Sequence, residues 1–212
     1  MSQSSTTATA IQPEFDTLWG HPKPLWMLFM AEFWERFAFY GIRWALTLYI
    51  VAQFFAGDAS GEGYASRTYG AYLALVYATA IFGGYVADRI IGYQKSILLG
   101  AVVMSLGLFM IMLPNQQLFL LGLSIVIVGN GLFKPNISSL VGKLYEQGDD
   151  RRDRGFTIFY MGINLGSFIA TLLVTYIGES YGWGYGFGLA GIGMVLGLIV
   201  FLAGQKYLYG YA

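Results

Sequence analysis

The feature that most constrains this chain is a series of six long apolar stretches separated by short breaks. An α-helix rises 1.5 Å per residue, so about 20 apolar residues cross the roughly 30 Å hydrocarbon core of a bilayer. Six segments meet that length, near Leu25–Ala56, Tyr69–Ile90, Lys95–Leu113, Leu118–Tyr145, Gly155–Tyr176 and Tyr185–Tyr207. In hydrocarbon the backbone must satisfy its own hydrogen bonds, which a helix does within one segment. Gly57–Ser66 is rich in Gly, Ser and Asp, Gly92 interrupts after Ile91, and Pro114–Gln117 makes a short turn. Glu146–Arg154 reads as a charged loop and Gly178–Gly184 as a Gly-rich one. The expectation is an all-α membrane protein of six transmembrane helices.

Composition agrees. The chain is 56% hydrophobic and 11% charged, where a soluble domain is about a quarter charged. Aromatics at 17% and 29 glycines suit interfacial belts and closely packed bilayer helices. Twelve basic residues balance twelve acidic ones, which carries no signal for nucleic acid. There is no cysteine, and the single histidine, His21, lies outside the segments as an interfacial residue. Serine-hydrolase, zinc-protease, phosphate-loop and dinucleotide fingerprints are absent, so neither catalytic residues, a metal site nor a cofactor is expected.

Residues 1–24 are polar, carry Glu14 and Asp16, and lack the apolar core and basic start of a secretory signal. They read as a short disordered tail. Eight of the basic residues (Lys23, Arg89, Lys95, Lys143, Arg151, Arg152, Arg154 and Lys206) fall on one side and Arg67 alone on the other. That asymmetry places both termini in the cytoplasm. Residues 25–208 form the bundle, and 209–212 read as the start of a linker to a missing second bundle.

Ionisable residues inside a span cost at least ~2.5–3.5 kcal/mol each on insertion scales, and they mark ion or substrate pathways. The first segment holds Glu32, Glu35, Arg36 and Arg43, and the fourth holds Lys134. Glu32, Arg36, Tyr40 and Arg43 fall within an arc of about 80° at 100° per residue, with Glu35 about 60° beyond Glu32. From the helix rise, Arg36, Lys134 and Asn164 sit roughly 15–16 Å into the bilayer and Tyr77 roughly 18 Å. Polar groups from four helices therefore converge near the midplane, in what reads as a wet cavity. A purely structural ion-pair cluster is the competing reading. Arg43 has no evident carboxylate partner, which favours an anionic ligand.

Four motifs now line up. Glu32-Phe33-Trp34-Glu35-Arg36-Phe37 with Tyr40 resembles the E-x-x-E-R-F signature of the proton-dependent oligopeptide transporters. Gly129-Asn130-Gly131-Leu132-Phe133-Lys134-Pro135-Asn136 is similar to the family's fourth-helix stretch. Phe159-Tyr160-Met161-Gly162-Ile163-Asn164-Leu165-Gly166 resembles its fifth-helix motif. Gly84-x-x-x-Asp88-Arg89-Ile90-Ile91-Gly92 resembles the broader major facilitator loop.

The resemblance implies the amino-terminal bundle of a major facilitator fold. Family members have two six-helix bundles with peptide held between them, and proton influx drives uptake across the cell membrane. Di- and tripeptides would be the substrates, protons the coupling ion, and membrane lipids and the second bundle the partners. By resemblance Glu32 and Glu35 match the proton-coupling positions, with Arg36 and Lys134 as their salt-bridge partners. Arg36, Tyr40, Arg43, Tyr77, Lys134 and Asn164 match substrate-lining residues. Asp88 and Arg89 are expected to latch against helix ends. Pro135 is expected to kink the fourth helix as a gating bend or a static one. Animal members carry a second-helix histidine that this chain lacks, so proton handling falls on the carboxylates. Two other readings stand beside this one: proton-coupled transport of nitrate or another small anion, and a non-transporting membrane scaffold fragment.

Overall fold

Proline and asparagine set where the first and fourth helices begin. In the computed structural model, which describes residues 13–211, α1 (Lys23–Phe54) carries Pro24 in its first turn, where a missing N–H costs nothing. Then follow α2 (Glu62–Val86), α3 (Tyr93–Ile111), α4 (Gln116–Lys143), α5 (Arg151–Tyr181) and α6 (Trp183–Gly204). Asn115 caps α4, its side-chain oxygen accepting from the Leu118 N–H at 3.0 Å. All six helices are long and apolar enough to cross a membrane, and with six crossings the two ends of the bundle emerge on the same side.

Several helices run past the boundaries that hydropathy suggests. The α2 helix starts at Glu62 rather than Tyr69, and α5 at Arg151 rather than Gly155, because polar first turns can stand out of the bilayer and stay helical. Glu146–Arg154 is thus loop only up to Asp150. The expected Gly178–Gly184 loop is a single residue, Gly182, at φ 117°. Gly178 is not a breaker there: a Cβ on it would lie 2.6 Å from the Trp183 ring, so its smallness seats that ring. Between α2 and α3, a π turn (Ala87–Ile91) ends on Gly92 at φ 82°.

The expected disordered tail is corrected for residues 13–24; residues 1–12 lie outside the described residues. Here β1 (Thr17–Leu18) pairs antiparallel with β2 (His21–Pro22). Phe15 is buried and packs on Tyr209, 6.3 Å between ring centroids, and on Tyr211 at 6.0 Å. The His21 Nδ1 lies 2.8 Å from the Tyr145 hydroxyl, and Arg151 donates to the Gly20 carbonyl at 3.2 Å. His21 is a buried link to the α4–α5 loop.

Around the bundle the principal packing runs α2–α4–α3–α6–α1–α5, with α1 also meeting α2. The helices α2 and α5 close the two ends of that series and are the least covered. Their most apolar 18-residue windows are 22% and 28% buried, against 50% in each of the other four. Glycines bring neighbours together. Gly162 and Gly166 of α5 face Phe29 and Phe33 of α1. On α2, Gly83 abuts the Gly131 carbonyl of α4, the one that Pro135 deprives of its helical N–H donor. A Cβ at Gly83 would collide with that oxygen. The α4 helix stays continuous through Pro135.

Candidate functional site

Two helices each place polar side chains one turn apart on facing sides. On α1 these are Glu32 and Arg36, with Glu35 beside them; on α4 they are Asn130 and Lys134. Lys134 donates to Glu32 Oε1, and one turn deeper Asn130 Nδ2 donates to Glu35 Oε1 at 2.7 Å. Arg36 grips Glu35 with two donors, Nε to Oε2 and Nη2 to Oε1 at 2.5 Å, while its Nε lies 3.3 Å from Glu32 Oε1. Two carboxylates and two cations make the cluster electrically neutral, which lets charge survive in a dry interior.

The carboxylates of the cluster are buried where a wet cavity is expected. Glu32 and Glu35 are 0% exposed and Arg36 is 6% exposed, so bundle packing shields the carboxylates from water. Lys134 is the accessible edge, its side chain 29% exposed and its ammonium 5.7 Å above the Phe159 ring. The Arg36 guanidinium lies 4.6 Å over Phe39, whose ring also packs on Tyr40 and Tyr72. Aromatic faces thus hold both cations.

The two carboxylates differ. Glu35 receives three donors. Glu32 has one oxygen, Oε2, that is fully buried and has no hydrogen-bond partner among the described residues. A neutral carboxylic acid needs one oxygen that can carry a proton, and Glu32 can take one there without losing an existing bond.

Arg43 sits about two turns further along α1, partly buried. Its Nε donates to the Tyr69 hydroxyl at 2.8 Å and its guanidinium lies 5.6 Å from the Tyr40 ring. No carboxylate lies within 4 Å of Arg43 among the described residues. Glu32, Glu35, Arg36 and Lys134 are therefore brought together, and Tyr40 and Arg43 form a neighbouring pair. Tyr77, 72% exposed on α2, and Asn164, exposed on α5, make no hydrogen bond to the cluster. Asp88 accepts from the hydroxyl of Tyr93, the first residue of α3, and Arg89 is exposed without an ion pair among the described residues. Among the described residues no three His, Asp or Glu side chains are grouped to hold a metal.

Asn130 is the participant that sequence reasoning leaves without a role. Its signal is its spacing, four residues before Lys134 on one face of a helix. Asn136 is a second: it donates to the Gly83 carbonyl at 3.1 Å and ties α4 to α2 where those helices come closest.

Proteins similar to this chain in sequence and fold are named as peptide transporters. The peptide transporter YePEPT of Yersinia enterocolitica subsp. palearctica is 45% identical over 189 residues, which is 87% of this chain and 37% of that protein. Dipeptide and tripeptide permease B of Xenorhabdus bovienii is 44% identical over 191 residues, 89% of this chain and 38% of the other. A crystal structure of a peptide transporter POT in complex with sulfate superposes with a TM-score of 0.88 at 42% identity, covering 95% of this chain and 41% of that one. A POT family transporter in complex with 5-aminolevulinic acid gives 0.85 at 38% identity, covering 92% and 40%. The chain thus spans about two fifths of the length of these relatives. The sequence profile of the POT family matches residues 94–209, more than half of the chain, and the motifs of α1 and α4 meet in one buried cluster: the chain belongs to the POT family.

Proposed function

We propose that this chain is the amino-terminal half of a proton-coupled symporter for di- and tripeptides, working by alternating access in the cytoplasmic membrane with both termini in the cytoplasm. The observation that carries the reading is the neutral cluster on α1 and α4 with one unpartnered carboxylate oxygen. In a bilayer, buried ionisable groups cost enough that a pathway is their usual reason. Relatives named for peptide, dipeptide and tripeptide transport support the substrate class. The poorly covered faces of α2 and α5 are where a second six-helix bundle would pack, enclosing the site between the two halves.

The mechanism follows from the asymmetry of the carboxylates. With Glu32 ionised, Lys134 is held against it. A proton arriving at Glu32 Oε2 neutralises that partner and leaves Lys134 with an unpaired charge in a low-dielectric setting, where an unpaired cation is costly. Lys134 then turns its exposed edge to the carboxylate of an arriving peptide, with Arg43 as a second cation free of any acidic partner. Glu35 stays with Arg36 and Asn130 throughout. Tyr40, Tyr77 and Asn164 line the space beyond. Protons are the coupling ion and no other cofactor enters. Membrane potential contributes ~2.3 kcal/mol per charge per 100 mV, enough to drive accumulation.

The test is counterflow by the full-length protein in liposomes, with labelled dialanine and labelled nitrate compared. Exchange of dialanine but not nitrate is expected. Exchange of nitrate alone would replace the peptide reading with an anion transporter, and exchange of neither would leave a scaffold.

A further inference from the structure

A groove of about 390 Å³ runs along the outside of the bundle between α3 and α6, lined by Lys95, Leu98, Leu99 and Val102 of α3 and Leu198 and Leu202 of α6. Five of these side chains are apolar and one is a cation at the end of the groove. Its long axis follows helix ridges: 95, 99 and 102 on α3, 198 and 202 on α6, each one turn apart. Just past the end of α6, in a 3-10 turn (Gln205–Leu208), lies Lys206, whose ammonium is 5.1 Å over the Tyr207 ring. Both lysines are exposed, and among the described residues neither has a carboxylate within 4 Å. Gln94 donates to the Tyr211 carbonyl at 2.8 Å, so the chain after α6 is held against the start of α3 at this same end.

We propose that the groove is a binding site for one anionic phospholipid, with its phosphate between Lys95 and Lys206 and an acyl chain laid along Leu99, Val102, Leu198 and Leu202. Three relationships single out this occupant. The groove lies across the bundle from α2 and α5, the two helices whose faces are least covered, so a second bundle packed there leaves it open to lipid. Lys95 to Val102 spans about 10 Å of helix, which lies inside one leaflet of about 15 Å, so the cations sit at headgroup level while the apolar walls reach the chains. Unpaired lysines at that level attract anionic headgroups, and aromatic side chains such as Tyr207 and Tyr209 belong to the same interfacial layer. A zwitterionic lipid fills the apolar walls equally well but gains less from two unmatched cations.

Native mass spectrometry of the detergent-purified full-length protein, titrated with phosphatidylglycerol or phosphatidylcholine, tests this. One phosphatidylglycerol is expected to remain bound at collision energies that strip phosphatidylcholine. Lys95→Gln and Lys206→Gln should each weaken its retention about fivefold, with Lys95→Arg retaining it. Val102→Phe fills the groove with both charges intact and should also weaken retention. All four substitutions are at exposed positions, and unchanged gel-filtration elution and Tm confirm that they fold. Equal retention of the two lipids, or wild-type retention in the double Lys95→Gln/Lys206→Gln variant, overturns the proposal. So does full displacement by glycerol phosphate with no effect of Val102→Phe, which would leave an anion site without a lipid.

Discussion

Asn130 of α4 donates a 2.7 Å hydrogen bond to the buried carboxylate of Glu35 on α1, one turn from the contact between Lys134 and Glu32. The two helices run in opposite directions, so residues four apart on α4 meet residues three apart on α1 in reverse order. This bond helps to keep Glu35 fully satisfied while its neighbour Glu32 has an oxygen to spare.

Removing the Asn130 donor should therefore be costly. Asn130→Ala leaves a buried carboxylate one bond short, a loss of ~1–3 kcal/mol, seen as a lower Tm in detergent. Asn130→Asp should be worse, because it sets a third carboxylate against Glu35. Wild-type melting in both variants would show that this contact contributes nothing.

Gly83 should tolerate no side chain. A Cβ there meets the Gly131 carbonyl, which is backbone and cannot step aside. Gly83→Ala is expected to wedge α2 away from α4 and cost ~1–3 kcal/mol, as overpacking does. Gly84, with open space at its Cβ position, serves as the control: Gly84→Ala should melt like the wild type.

The link between the amino-terminal hairpin and the α4–α5 loop should weaken in acid. Burial, then the nearby Arg151 and Arg154, hold the His21 pKa below its usual 6.5. Burial pushes the Tyr145 hydroxyl up to about 12, so it stays protonated as the partner of His21. A depressed histidine pKa means that the unfolded form takes up its proton first. The stability contribution is complete above pH 6.5 and is lost as pH falls through the folded-state value. Tm of the wild type should drop more between pH 7.5 and 5 than Tm of His21→Gln; parallel curves would refute this.

Six crossings were readable because hydrocarbon demands long apolar helices. The meeting of Glu32, Glu35, Arg36 and Lys134 was readable because four charges at helical spacing in apolar segments must find one another. Helix ends were less so: hydropathy marks where a helix enters the bilayer, and Glu62 and Arg151 begin helices outside it. Gly178 looked like a breaker, but glycine in a bilayer helix serves close packing as readily as turning. The burial of the two carboxylates depends on how helices pack around them, which spacing along one helix does not reveal. The contact of His21 could not be read because its partner, Tyr145, lies 124 residues away.

In this mechanism Glu32 takes the proton and thereby frees Lys134. This is tested most directly by Glu32→Gln in the full-length protein reconstituted in liposomes, with dialanine uptake measured both by counterflow and under an imposed proton gradient. Because glutamine is neutral like the protonated acid, counterflow should persist while proton-driven accumulation disappears. Accumulation of dialanine against its gradient by this variant, at the wild-type level, would contradict the account.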